Sequence, residues 1–198
     1  MTTIDRPRCR FYTATTLDGF LATEDDSLDW LLSQDTGGQG PDSGDGTGWY
    51  EEFFAGVGAL VMGATTYLWV LDHLRSTGET WSQAWPYDRP TFVFTHRELD
   101  RAADSVQLVA GSPPDLWPRI ADAAGDRDVW MVGGGELAVS FAASGLLDDV
   151  LVSIAPVTLG AGKPLFPRPF DLHLRGVEQQ GVFVFAQYGV VGPRAVEG

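Results

Sequence analysis

Val129-Trp130-Met131-Val132-Gly133-Gly134-Gly135-Glu136-Leu137 is the stretch that decides how this chain is read. Four apolar residues in a row suit a strand buried on both faces, and three glycines end it just before a helical run from Glu136 to Ala143. Adjacent glycines leave the backbone bare, so an anionic ligand can approach amides that a Cβ would shield. The pattern recurs twice. Ala59-Leu60-Val61-Met62 runs into Gly63-Ala64-Thr65-Thr66-Tyr67, with a helix expected from Thr65 to Leu71, and Thr91 to Thr95 runs into His96-Arg97. In open α/β sheets, ligands bind outside the carboxyl ends of strands, where phosphates rest on helix N-termini. Each junction alone also reads as a tight turn; together they point to a phosphate-bearing ligand. The glycine triplet is not the G-x-G-x-x-G fingerprint, and no acidic residue follows at the required distance, which disfavours a Rossmann dehydrogenase.

Working outward, Arg8 to Thr15 reads as a first strand and Leu17 to Ala22 as a loop. Ser27 to Leu32 reads as a short helix with Ser27 as its N-cap. Ser33 to Gly48, rich in Gly, Asp, Ser and Thr, reads as a mobile surface loop, followed by a helix from Trp49 to Ala55. His73 to Asp88 reads as a loop, Val106 to Val109 as a strand, and a helix is expected to begin near Pro114. Strands over Val150 to Val157, Leu172 to Gln179 and Val182 to Val191 complete the chain, the last two joined by Gln180-Gly181. This alternation predicts a three-layer α/β/α domain with a mixed, mostly parallel sheet of about eight strands ending in an antiparallel hairpin. One domain is expected over 1–198, its core spanning 8–191. The segment Gly181 to Val191 is long, apolar and poor in charge; at a bare sheet edge it would invite aggregation, so it is expected to be buried in a homodimer.

The chain has 198 residues, 44% hydrophobic and 20% charged, an ordinary globular composition. No apolar run is long enough for a spanning helix and no signal peptide is visible at the N-terminus. A single cysteine, Cys9, precludes an intrachain disulfide and fits the reducing cytoplasm. The net charge of −14 argues against nucleic acid and against anionic membrane surfaces as partners. A dinucleotide remains compatible with it, provided helix ends, amides and one or two local cations supply the positive field. His73, His96 and His173 lack metal-ligand spacing, and no metal is implied.

Read jointly, Ala14…Leu17-Asp18-Gly19-Phe20, Ser27-Leu28-Asp29-Trp30, Met62-Gly63-x-Thr65-Thr66-Tyr67, Gly133-Gly134-Gly135-Glu136-Leu137 and Leu159-Gly160-x-Gly162-x-Pro164-Leu165-Phe166 resemble the dihydrofolate-reductase-like superfamily. The resemblance is strongest to stand-alone relatives of the C-terminal reductase domain of the bifunctional riboflavin-biosynthesis deaminase-reductases, and covers Arg8 to Val191. It implies an NADPH-dependent reductase that delivers hydride to a C=N or C=O bond of a small heterocycle. The first substrate class it suggests is a ribosylamino-pyrimidine of the riboflavin pathway, the second a folate or pterin. It further implies that Gly133, Gly134, Gly135, Glu136 and Leu137 hold the pyrophosphate, with Gly63, Thr65 and Thr66 as a second phosphate-binding turn. Thr95, His96 and Arg97 match the stretch that reads the adenosine 2′-phosphate, and Ala14, Leu21 and Ala22 match positions touching the nicotinamide. Where that second turn often carries Arg after its Gly, this chain has Ala64, which leaves Arg97 as the main cation. The zinc chemistry of the deaminase half needs cysteines that this chain lacks.

For the proton that accompanies hydride, two carboxylates are candidates. Asp18 matches a substrate-contacting Asp of the riboflavin reductases and also reads as a turn residue. Asp29 matches in position the acid that dihydrofolate reductases set against the pterin. Buried beside Trp30 it would have a raised pKa; it reads equally as a first-turn Asp favoured by the helix dipole. Phe20 and Trp30 complete the expected substrate side. Lys163 reads either as a contact for an anionic substrate group or as a flexible loop lysine. A rival of another class keeps the loops without the chemistry: a non-catalytic nucleotide-binding or regulatory module.

Overall fold

A computed structural model describes residues 6–34, 49–76 and 85–195. The strands are β1 (Cys9–Thr16), β2 (Phe20–Ala22), β3 (Val57–Gly63), β4 (Thr91–Phe94), β5 (Val106–Val109), β6 (Asp128–Gly133), β7 (Asp149–Ala155), β8 (Lys163–Pro164), β9 (Phe170–Gln180) and β10 (Phe183–Pro193). The helices are α1 (Asp29–Leu32), α2 (Trp49–Ala55), α3 (Ala64–Ser76), α4 (Pro113–Ala124) and α5 (Gly135–Ala143). Eight strands form one sheet in the order β5-β4-β3-β6-β1-β7-β10-β9, and β2 pairs with β8 apart from it. From β5 to β7 all neighbours are parallel; β10 is antiparallel to β7 and to β9. The expected mixed, mostly parallel α/β sheet ending in a hairpin is what the chain forms.

Central strands are apolar because both faces are covered. In β3, Val57 to Met62 are all buried. On one face Phe11, Val61, Met131 and Val152 meet Trp117, Ile120 and Phe141 from α4 and α5. On the other, Tyr12, Leu60, Met62 and Trp130 meet Phe53, Tyr67 and Leu71 from α2 and α3. Each such large apolar side chain contributes about 1.5–3 kcal/mol by leaving water. At α4 two prolines occupy the first turn, where a missing N–H costs nothing, and Gly125 (φ 66°) ends the helix.

Several elements differ from the sequence expectation. Phe20–Ala22 is a short strand rather than loop, and α1 is capped by Leu28; Ser27 accepts the Asp29 amide through Oγ (3.1 Å) from one position earlier. Helix α3 continues to Ser76, into what reads as loop. Of the expected surface loop, 35–48 lie outside the described residues, as do 77–84 of the second. The apolar segment expected at a sheet edge is internal: β10 lies between β7 and β9, so β9 is the edge.

At the opposite end of the sheet from the strand tips, Asp149 is fully buried. Arg8 hydrogen-bonds it, and Arg10 (3.6 Å) and Arg175 (3.4 Å) pair with it. Burial pushes its carboxyl above the ordinary range, against the pull of Arg8, Arg175 and Arg10.

Close packing of α4 on β3 is set by Gly58, where a Cβ would overlap the Ala124 carbonyl. Gly58→Ala is therefore expected to cost about 1–3 kcal/mol through overpacking. Thermal denaturation should show a Tm lower by roughly 2–10 °C; an unchanged Tm would refute this account of the packing.

Candidate functional site

Because β4, β3 and β6 are parallel neighbours, their carboxyl ends lie side by side. In the ladders Gly63 is opposite Phe94 and Met62 is opposite Gly133. The three junctions singled out in the sequence thus form one contiguous row. Helix α3 leaves the β3 tip for one face and α5 leaves the β6 tip for the other, since their buried residues belong to opposite cores. The two helices thus start on opposite faces at the point where the strand order reverses, where open α/β sheets bind ligands.

The glycines at these tips serve different ends. A Cβ on Gly133 would lie 2.7 Å from Thr66 Oγ1, so this glycine lets β6 dock against α3. Gly134 has φ 103°, a conformation that L side chains rarely adopt. A Cβ on Gly135 would overlap the carbonyls of Pro164 and Leu165. Gly63 alone among them faces open space, with nothing within 4 Å of an added Cβ. Two of the three glycines are thus required by the protein's own packing, a reason the sequence reading did not supply.

The first turn of α5 has no side-chain cap, leaving amides of the helix N-terminus for an external acceptor. Glu136 stands in that turn but is exposed, and Leu137 is half-buried. The first turn of α3 carries no acid; Thr65 is exposed and Thr66 half-buried. Past β4, the Thr95 amide donates to Val109 O (2.9 Å) and Thr95 Oγ1 accepts the Arg97 amide (2.9 Å). His96 and Arg97 are exposed, and among the described residues the Arg97 guanidinium has no hydrogen-bond or ion-pair partner.

On the other flank, β1 ends in Thr15 and Thr16, both buried. Thr16 Oγ1 donates to Asp18 Oδ1 (2.6 Å) and accepts the Phe20 amide (3.0 Å), closing a tight β1–β2 turn. The Asp18 carboxylate also accepts the amides of Leu159 (3.1 Å) and Gly160 (2.7 Å). Hydrogen bonding, first from Thr16, holds its carboxyl below the ordinary range, so it is a carboxylate committed to its own chain. Asp29 is exposed, not buried beside Trp30 as the sequence argument required. Trp30 itself is buried with Ala155 and Phe183, against Ala14, and its indole N–H has no acceptor among the described residues. Leu21 is half-buried and Ala22 buried. Lys163 is not a free loop lysine but pairs with Asp26 (3.7 Å).

Sequence reasoning missed Thr16 and gave residues 157–166 no structural task. That segment runs from the β1–β2 turn to α5, as the contacts of Asp18 and Gly135 show. Its Gly160-x-Gly162-x-Pro164 spacing was the available signal, since alternating glycines mark close backbone approaches. Among the described residues no cluster of His, Cys, Asp or Glu is arranged to hold a metal ion, and no helix is long and apolar enough to cross a membrane.

The Gly133–Thr66 contact makes a double-mutant prediction. Gly133→Ala is expected to destabilise by about 1–3 kcal/mol. Adding Thr66→Ala removes the obstructing Oγ1 and Cγ2 and should recover part of the loss, with a coupling of about 0.5–3 kcal/mol in urea denaturation. Strict additivity would contradict the contact.

Comparison with known proteins agrees with this architecture. Two uncharacterized proteins of Bacillus subtilis (strain 168) are similar along most of the chain. YwjB is 29% identical over 181 residues, 89% of this chain and 94% of its own, and YyaP 26% over 167 residues, 77% of each. A putative riboflavin biosynthesis protein from Shewanella sp. PV-4 superposes with a TM-score of 0.71 at 27% identity, covering 93% of this chain and 99% of that one. The Thermotoga maritima diaminohydroxyphosphoribosylaminopyrimidine deaminase/5-amino-6-(5-phosphoribosylamino)uracil reductase shares the fold, with a TM-score of 0.64 at 16% identity; 94% of this chain matches 57% of that one. Residues 7–183 match the RibD C-terminal domain, and the chain belongs to that family.

Proposed function

We propose that this chain is an NADPH-dependent reductase of a small heterocyclic C=N or C=O bond. A pyrimidine resembling 5-amino-6-(5-phosphoribosylamino)uracil is the first candidate substrate and a pterin the second. The observation that carries the reading is the contiguous row of the β3, β4 and β6 tips, from which α3 and α5 leave on opposite faces. The donors there suit a dinucleotide: uncapped amides at Gly135, Glu136 and Leu137, the Thr65 and Thr66 hydroxyls, bare backbone at Gly63 and Gly134, and Arg97, exposed and without a partner among the described residues. Thr95 and His96 flank that cation. When bound, NADPH supplies the hydride.

The chain's own share is positioning. Ala14, Leu21 and Ala22 give the nicotinamide side small or flat apolar surfaces. Phe20 and Trp30 bound the substrate side. With Asp18 engaged by its own chain, Asp29 is the carboxylate free to relay a proton. With Cys9 buried and free as a thiol, we place the activity in the reducing cytoplasm.

We further propose a homodimer, through β9 rather than through an exposed β10. Leu172, Leu174 and Val177 are exposed and lie opposite Val190, Tyr188 and Ala186, so they prolong one core face past its helix cover. A second copy, offering the same free edge, is the occupant that symmetry favours.

An Arg–phosphate pair contributes about 1.5–3 kcal/mol, so a ten- to hundredfold preference for NADPH over NADH is expected, and Arg97→Ala should abolish it. Gly63→Ala should fold with unchanged Tm yet weaken NADPH at least about tenfold, because the methyl enters the open crevice. Fluorescence titration measures both. NADPH oxidation against a pyrimidine, pterin and carbonyl panel then tests the chemistry; binding without turnover would leave the non-catalytic nucleotide-binding module. Size-exclusion chromatography should give a dimer for the natural chain and a monomer for Leu174→Glu/Val177→Glu. A monomeric natural chain would rule out the interface.

A further inference from the structure

We infer that Asp18 is a positioning residue whose carboxylate holds residues 157–166 as a strap, and that the strap sets the first turn of α5 from the far side of the crevice. The inference rests on the dinucleotide reading of that crevice and adds to it a residue that acts without touching the ligand.

The strap is fastened at one end by charge. Asp18 accepts Leu159 N–H (3.1 Å to Oδ2) and Gly160 N–H (2.7 Å), while Thr16 Oγ1 donates to the same carboxylate at 2.6 Å. Both carboxylate oxygens are therefore used, and the Leu17 amide adds a bond to Val157 O (2.8 Å). An amide in place of the carboxylate would offer one acceptor oxygen and no charge, and its NH2 group would face either the backbone N–H donors or Thr16 Oγ1, which already accepts the Phe20 amide. Along its middle the strap becomes β8, pairing Lys163 with Ala22 and Pro164 with Phe20. There Gly162 (φ 153°) lies so close to the Ala22 carbonyl that no Cβ would fit. The Lys163–Asp26 pair (3.7 Å) closes the outer side, and the Leu165 amide donates to Gly19 O (2.9 Å).

At its other end the strap meets α5. The carbonyls of Pro164 and Leu165 occupy the space a Cβ on Gly135 would need, so Gly135 cannot move toward the strap, and the strap cannot sink without displacing the helix start. Phe166 follows and is anchored against Phe11 (6.3 Å between centroids) and Phe170 (5.7 Å). The turn after β1 and the glycine loop after β6, far apart in sequence, are thereby joined by one continuous segment. Asp18 fastens residues 159 and 160, and the exposed Lys163–Asp26 pair fastens its middle.

The test compares the full-length natural chain with Asp18→Asn and Asp18→Glu. Without cofactor, amide exchange and backbone amide resonances are recorded. Asp18→Asn is expected to speed exchange of the Leu165 amide at least tenfold and to shift the resonances of Gly135, Glu136 and Leu137. Asp18→Glu, which keeps two charged oxygens, should do so less and serves if the Asn variant does not fold. With cofactor, Asp18→Asn should weaken NADPH about tenfold while leaving substrate KM at saturating NADPH unchanged. Changes confined to residues 16–20 and 157–160 in either variant would overturn the inference. So would a raised substrate KM with unaltered NADPH affinity, which would make Asp18 a substrate contact. Should the natural chain fail to bind NADPH, the dinucleotide reading falls, while the cofactor-free arm still decides whether Asp18 sets α5.

Discussion

Insertion of β6 between β3 and β1 is the constraint from which the site follows. From β3 the chain steps outward through β4 and β5, then returns across α4 to lay β6 in the gap. Parallel neighbours end on the same edge, so two helix starts must stand there together, one on each face. Where the two helices diverge, Gly63 at the β3 tip has nothing within 4 Å of an added Cβ. The crevice is thus a product of strand order, and no loop is needed to excavate it.

Charge is distributed in keeping with that geometry. The chain as a whole is strongly acidic, at −14. Four arginines at the opposite end are engaged internally: Arg6 by Asp148, and Arg8, Arg10 and Arg175 by Asp149. Near the tips Arg97 has no ion-pair partner among the described residues, and α3 begins without an acid. The amides at the α5 start and the Arg97 guanidinium are positive groups at these tips, with Glu136 standing against them in the first turn of α5.

What the sequence could reveal follows from the range of the interactions involved. Buried parallel strands are near-continuous apolar runs, so β3, β4, β5 and β6 are legible, as are the helices that follow β3 and β6. Three-residue β2 has no periodicity to detect, because its partner β8 is a two-residue strand more than 140 positions away. The edge was misassigned for a related reason. The apolar residues of β9 are partly exposed, whereas β10 owes its apolar character to lying inside the sheet. At the site, the positions of Gly133 and Gly135 were legible but their cause was not, since Thr66 and the carbonyls of 164 and 165 come from other elements. Asp18 was found from its motif; its partners, Leu159 and Gly160, are invisible to any local reading.

The buried Asp149 bears on a quite different question, how β9 knows where to pair. Residues 171–179 of β9 are exposed, so the alternation of Leu172, Leu174 and Val177 with polar neighbours has no buried contact in the single chain through which to fix the alignment with β10. The ladder carries a bulge there: Leu174 is opposite Tyr188 and Gly176 opposite Gln187, leaving Arg175 over. That extra residue reaches back across β10 to Asp149, and Gly189 lacks the Cβ that would come within 2.7 Å of its guanidinium. Sliding β9 by one residue would withdraw the guanidinium and leave Asp149 one cation short in the interior. A single ionic peg from Arg175, given room by Gly189, thus acts as the alignment mark for an eleven-residue strand.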